Sequence, residues 1–166
     1  MDHTDVTIDT ETADTLDGLF RARLKQTPNR PAFRSYDKAS KEWLEYSWQD
    51  MANTVSRWQA AIKTLNLNEG DRIAMILKNS PDWVAVDMAA QGLGLVDVPL
   101  YTDDRPDNIA YILNDSGSQL LVLQDTAQWK QLAPLKAELS HIKKFVILEW
   151  DGESPLADND ERVVAA

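Results

Sequence analysis

The chain predicts an α/β fold: three layers, a largely parallel sheet flanked by helices, and a β-hairpin near the N-terminus. Three observations predict it. Short apolar runs at residues 72–77, 95–100 and 119–123 alternate with helical stretches at 81–91 and 106–114. Strands separated by a helix and short links pair in parallel, because a parallel pair needs a crossover. Ahead of them, two strand-like segments flank the polar loop Asp37-Lys38-Ala39-Ser40-Lys41. With 166 residues, 43% hydrophobic and six tryptophans, the chain can also bury a core of its own.

Taken in order, residues 1–14 read as a mobile acidic tail. Thr15 caps a first helix that carries Leu16, Leu19, Phe20 and Leu24 on one face. Pro28-Asn29-Arg30-Pro31 ends it. Residues 32–36 and 43–47 form the hairpin, and their charged side chains suit an edge position. Ser47-Trp48-Gln49-Asp50 has the form of a capping box. The helix it opens runs to about Leu65, with Trp48, Met51, Ala52, Val55, Trp58, Ile62 and Leu65 along one face. That aromatic stripe reads as core.

Gly70-Asp71 turns the chain into the first parallel strand. Ser80 caps the next helix and Pro81 takes its first position, where a missing N–H costs nothing. This helix is apolar nearly all round, with Trp83, Val84, Val86, Met88, Ala89 and Ala90, so it should be buried on more than one side. Gly92 stops it. The helix from Pro106 closes at Asp115-Ser116-Gly117. Asp125-Thr126 starts another helix through Trp129, Leu132 and Leu135, which Pro134 should kink or split. Phe145-Val146-Ile147-Leu148 is a fourth candidate parallel strand. Residues 149–166 read as a polar linker, with Val163-Val164-Ala165-Ala166 inside it. The domain organisation expected is therefore a tail over 1–14, one α/β unit over 15–148 and a linker over 149–166.

Composition excludes several functions. The chain has no cysteine, which removes disulfides, thiol catalysis and cysteine-ligated metals. The polar N-terminus is not a secretory signal, and no apolar run reaches the ~20 residues of a membrane helix. The net charge of −10 is concentrated in the ends. Residues 1–17 hold six acids and no Lys or Arg, and residues 149–166 hold six acids and one Arg; the stretch between has 15 acids and 16 bases. No basic stripe offers itself to a phosphate backbone, so no nucleic acid is expected as partner.

No residue qualifies as catalytic, cofactor-binding or metal-ligating. Gly92-Leu93-Gly94 closes a helix and precedes a strand, the reverse of a phosphate-binding fingerprint. Ser116-Gly117 lies at a helix end without the flanking glycine of a nucleophile elbow. His3 and His141 have no clustered partner. Asp103, Asp104 and Asp107 crowd the start of the Pro106 helix, where negative side chains suit the helix dipole.

Several motifs resemble those of the adenylate-forming, or AMP-binding, synthetase superfamily. Tyr46-Ser47-Trp48-Gln49-Asp50-Met51 is similar to that superfamily's first core motif, and Leu93-Gly94-Leu95-Val96-Asp97-Val98-Pro99-Leu100-Tyr101 to its second. Gly70-Asp71-Arg72-Ile73-Ala74, Asn79-Ser80-Pro81-Asp82-Trp83 and Tyr111-Ile112-Leu113-Asn114-Asp115-Ser116-Gly117 lean toward the long-chain fatty acid branch. The resemblance runs from about residue 15 to about 148. Members usually carry Ser or Thr just before the proline at 106. Arg105 stands there, which moves the expected cap to Asp104 or Thr102.

The resemblance implies the N-terminal subdomain of an acyl-CoA synthetase-like fold. The parent enzyme would be a long-chain fatty acid–CoA ligase, using ATP, Mg and CoA and passing through an acyl-adenylate to acyl-CoA, AMP and pyrophosphate. Its partners would be fatty acid, CoA and the remainder of the synthetase chain, and its location cytoplasmic or peripheral to a membrane. The family's phosphate-binding Ser/Thr/Gly-rich loop with its Lys, its Thr-Glu pair, its ribose-binding Asp and its C-terminal Lys would lie beyond Ala166. No position here matches them. The chain alone is therefore expected to be inactive, to bind none of these cofactors tightly, and to self-associate through exposed apolar surface or a sheet edge. The alternative is a free-standing α/β binding or protein-interaction module without enzymatic activity.

Overall fold

In the computed structural model, residues 7–9, 11–152 and 160–166 are described; His3 and residues 153–159 of the expected linker lie outside them. The elements in chain order are α1 (Leu16–Gln26), β1 (Pro31–Asp37), β2 (Glu42–Ser47), α2 (Trp48–Lys63), β3 (Arg72–Ile76), α3 (Pro81–Gln91) and β4 (Val96–Pro99). They continue with α4 (Pro106–Ser116), β5 (Leu120–Asp125), α5 (Thr126–Leu132), a 3-10 turn (Ala133–Leu135), β6 (Lys144–Glu149) and β7 (Val163–Ala165). The fold class is the α/β one expected: an N-terminal antiparallel hairpin and a parallel five-stranded sheet with helices flanking it. The chain divides into two compact units, residues 1–61 with 80–93, and residues 62–79 with 94–166.

In the first unit the Thr15 hydroxyl accepts from the Gly18 amide and starts α1. The capping box at α2 closes in both directions: Asp50 N–H donates to Ser47 Oγ, and Ser47 N–H donates to Asp50 Oδ2. Among the described residues, strands β1 and β2 pair only with each other, so the hairpin is a ribbon by itself and not an edge of the larger sheet. Phe20 and Phe33 each pack edge-on to Trp48, at centroid distances of 5.9 and 6.0 Å. The α1 face is only partly used. Phe20 is buried, but Leu16 and Leu19 are exposed. Helix α3 follows the expected pattern of burial on several sides: Ala85, Val86, Ala89 and Ala90 are buried, and Asp82 alone of its residues is exposed. Trp83 is only half-buried. The surface left bare is therefore not that of α3.

In the second unit the sheet order is β4-β3-β5-β6-β7, every pair parallel. Both faces of its central strands are buried. Ala74, Ile76, Leu121, Leu123, Phe145 and Ile147 pack with Ile109, Ala110 and Leu113 of α4 and with Trp129 and Leu132 of α5. Ile73, Met75, Leu120 and Val122, which alternate with them, are equally buried. That double burial is why these strands read as continuous apolar runs. Pro134 splits the last helix as expected, since α5 ends at Leu132 and the 3-10 turn follows.

Three expectations need correction. Residues 163–165 are not linker: they form β7, with Phe145 opposite Val163 and Ile147 opposite Ala165. Val163 is buried in the core, which a three-residue apolar run at a sheet edge can achieve without any helical or alternating pattern to announce it. Helix α2 ends at Lys63, before Leu65. The N-cap of α4 is Arg105 itself, without a side-chain cap bond; Asp104 accepts instead from the Arg105 amide and from the Asn108 side chain.

Candidate functional site

Open parallel sheets bind ligands outside the carboxyl ends of their strands, where the strand order reverses. Here β3 leads to β4 on one side while β5, β6 and β7 extend the other, so the reversal falls between β3 and β5. Gln124 occupies it. Its side chain is buried, with Oε1 accepting from the Lys78 amide at 3.1 Å and Nε2 donating to Glu149 Oε1 at 2.7 Å. Its backbone N–H donates to Gln128 Oε1 at 2.8 Å. Around it, Thr126 Oγ1 accepts from the Asp151 amide, and Lys130 pairs with Asp151 at 3.3 Å. One glutamine thus ties the ends of β3, β5 and β6 together. This is a cross-tie with its hydrogen-bonding atoms engaged, not a reactive constellation.

The space beside it is small. A cavity of about 10 Å3, lined by Ile76, Thr102, Asp104, Ile109, Leu123 and Gln128, has room for about one water. In the first unit an open groove of about 840 Å3 runs along Leu44, Glu45, Tyr46, Asp50, Asn53 and Arg57. Three of its polar side chains are committed locally: Asp50 to Ser47, Asn53 to Gln49, Arg57 to Thr54.

The electrostatics agree with a structural role. Hydrogen bonds from Ser40 and the Ala39 amide hold Asp37 below the ordinary carboxylate range. Ser47 does the same for Asp50, the Asn68 amide for Asp71, and Arg162 for Asp160. Each of these carboxylates serves a turn or a cap, and each shift favours the ionised form, the opposite of what a general acid needs.

The helix N-termini do not fit a nucleotide phosphate. Ser80 fills the cap of α3, with Asp82 in its first turn; Asp104 and Asp107 crowd α4; Asp125 caps α5. A phosphate needs those amides free and the surroundings uncharged or positive, so none of these three termini offers a nucleotide a seat.

Of the residues weighed from sequence, Ser116 and His141 converge on the Leu113 carbonyl, to which Ser116 Oγ donates at 3.3 Å. Gly92 is the C-cap of α3, where a Cβ would collide with the Gln59 side-chain amide. Gly117 is the left-handed C-cap of α4, and the Ser118 amide reaches back to Leu113 O. His141 Nε2 also lies 3.1 Å from Leu113 O. Among the described residues no group of three His, Asp or Glu could hold a metal ion, and no helix is long and apolar enough to cross a membrane. Sequence alone did not single out Gln124, nor Arg72, whose Nε donates to Ser116 O at 2.6 Å, nor Arg162, which pairs with Asp160 at 2.7 Å. The one signal for Gln124 was a polar residue ending an apolar run.

A profile of the family described as "AMP-binding enzyme" matches residues 20–165. Among curated proteins, "Fatty acyl-CoA synthetase A" of Dictyostelium discoideum is 36% identical over 84 residues, covering 50% of this chain and 12% of that protein. "Long chain acyl-CoA synthetase 7, peroxisomal" of Arabidopsis thaliana is 32% identical over 80 residues, 46% of this chain and 11% of that protein. Among solved structures, a Mycobacterium tuberculosis fatty acyl CoA synthetase superposes with a TM-score of 0.69 at 21% identity, covering 84% of this chain and 27% of that one. Coronafacic Acid Ligase from Pectobacterium brasiliense superposes with a TM-score of 0.74 at 17% identity, covering 89% and 27%. These two share the fold. The chain spans only about an eighth of the length of the first two relatives.

Proposed function

The chain belongs to the AMP-binding enzyme family, and from that premise we propose that it is the N-terminal structural portion of an AMP-forming long-chain fatty acid–CoA ligase. In such a ligase the fatty acid carboxylate attacks the α-phosphate of ATP and expels pyrophosphate. The CoA thiol then displaces AMP from the acyl-adenylate. ATP, Mg and CoA would be held by parts of the enzyme outside residues 1–166. The parent would work in the cytoplasm or at the periphery of a membrane. The organisation proposed is a single family unit from about residue 15 through β7, behind an acidic tail, with a polar stretch between β6 and β7 in the sequence.

The observation that carries this reading is the extent of the match. It takes in residues 20–165, nearly the whole chain, yet the chain spans only about an eighth of its first two curated relatives. Its own polar clusters are engaged in caps and cross-ties, as a scaffold's would be.

A pyrophosphate-release assay with ATP, Mg, CoA and a panel of fatty acids tests it in two arms. The 166-residue chain should give no turnover. The product of the complete reading frame should release pyrophosphate and consume CoA only when fatty acid is added. Turnover by the short chain would sink the scaffold assignment. A stop codon directly after Ala166 would sink the ligase assignment and leave the free-standing interaction module.

A further inference from the structure

The β1–β2 ribbon has one face partly covered and one left open. In its register Arg34 stands opposite Glu45, and Tyr36 opposite Trp43. Side chains alternate along a strand, so these four share a face. Phe33 belongs to the other face and packs on Trp48, which covers that face at its base, while Leu44 farther along it is exposed. On the open face Trp43 is 68% exposed and Tyr36 47% exposed, their rings edge-to-face at 5.6 Å. Beside them Arg34 donates to Glu45 Oε2 from Nε at 3.0 Å and from Nη2 at 2.8 Å. An exposed tryptophan of this extent, stacked on a tyrosine and flanked by an ion pair, has the composition of an interface centre.

We propose that this face joins two copies of the chain about a two-fold axis running along the strands. A half-turn about such an axis, lying in the contact plane midway between β1 and β2, brings β1 of one copy over β2 of the other. Arg34 then faces Glu45 of the partner subunit, and Tyr36 faces Trp43 of the partner subunit. The face is complementary to itself in charge and in aromatic character, as an isologous contact requires. A lipid surface fits less well. Lys38 and Lys41 at the hairpin tip are balanced by Asp37 and Glu42, and the whole chain carries −10. Four side chains make a small contact, so the dimer is weak, with a dissociation constant on the order of 10 μM or above.

Sedimentation equilibrium of the 166-residue chain across a concentration series tests the proposal, with far-UV circular dichroism as the check on folding. The expected result is a monomer–dimer equilibrium that Trp43→Ala weakens about tenfold or more. Arg34→Glu and Glu45→Arg should each abolish the dimer alone. Mixed in equal amounts they should restore it, because each altered side chain then meets an opposite charge across the contact while the pair within each copy still repels. A chain that stays monomeric to about 1 mM overturns the proposal. So does a dimer indifferent to these substitutions. So does a monomer whose emission shifts on phosphatidylcholine–phosphatidylglycerol vesicles only when Trp43 is present, which would give the face to lipid.

Discussion

Arg162 grips Asp160 with two hydrogen bonds, Nη2 to Oδ2 at 2.7 Å and Nε to Oδ1 at 3.0 Å. The same guanidinium donates from Nη1 to Leu139 O at 2.8 Å and lies 5.2 Å from the centre of the Phe145 ring. It therefore fastens β7 to the turn before β6 and to the core at once. The pair is mostly shielded, with side chains 26% and 15% exposed, which separates it from an ordinary surface ion pair.

Arg162→Met should cost about 1–3 kcal/mol in a urea titration, because it leaves a carboxylate and a carbonyl without their charged donor. The pH dependence has a definite sign. Arg162 holds Asp160 below the usual carboxylate range. Stability from such a group is present above the unfolded value of about 3.9 and is lost as pH falls through the folded one. The stability gap between the parent and Asp160→Asn should therefore be open at neutral pH and close in acid. A gap independent of pH would mean the pair does not form.

Gly117→Ala should destabilise through two effects. Gly117 has φ +62°, which costs an L-residue roughly 1–2 kcal/mol, and an added Cβ would stand 2.7 Å from Arg72 Nη2. The Arg72 guanidinium would then have to shift, which strains the 2.6 Å hydrogen bond from its Nε to Ser116 O. Gly117→Asn shares the crowding but tolerates the left-handed backbone, so it should lose less. Equal losses in denaturant melts would assign the whole effect to crowding.

The periodic parts of this fold were legible and the aperiodic parts were not. Caps at Thr15, Ser80 and Asp125 and the box at Ser47–Asp50 work as local chemistry requires, because a cap depends on residues within one turn. The runs at β3 and β5 announced themselves because both faces are buried. β7 did not, since three residues carry no period and a long polar stretch precedes them. Gln124 was invisible because its partners Lys78 and Glu149 lie 46 and 25 residues away. Leu16 and Leu19 mark the reverse error, where helical spacing predicted a buried face and the structure exposes it.

Phe145 and Trp83 should respond differently to truncation. Phe145 is fully buried, with its ring 5.0 Å from that of Trp129, so Phe145→Ala should cost ~3–5 kcal/mol. Trp83 is half-buried, so Trp83→Ala should cost clearly less despite the larger side chain. The comparison is read from denaturant midpoints at constant slope. A greater loss at Trp83 would mean that α3 sits deeper than its exposure shows.

Gln124→Glu separates the cross-tie's shape from its charge. The substitution keeps an acceptor for the Lys78 amide but removes the donor to Glu149 and sets two carboxyl groups side by side. Position 124 is buried and faces the exposed Glu149 at hydrogen-bond distance, so a glutamate placed there should hold a proton that the unfolded chain releases near pH 4.3. A group with a raised folded pKa contributes its stability at low pH and loses it as pH rises. Gln124→Glu should therefore match the parent closely at about pH 4 and fall behind it progressively toward pH 7. Gln124→Leu, which cannot titrate and leaves the Lys78 amide unpaired, should cost about 1–3 kcal/mol at both. Urea titrations of the three proteins at the two pH values distinguish these cases. A Gln124→Glu protein equally stable at both would show that Glu149 swings into solvent, and that the tie between β5 and β6 is carried by their backbones alone.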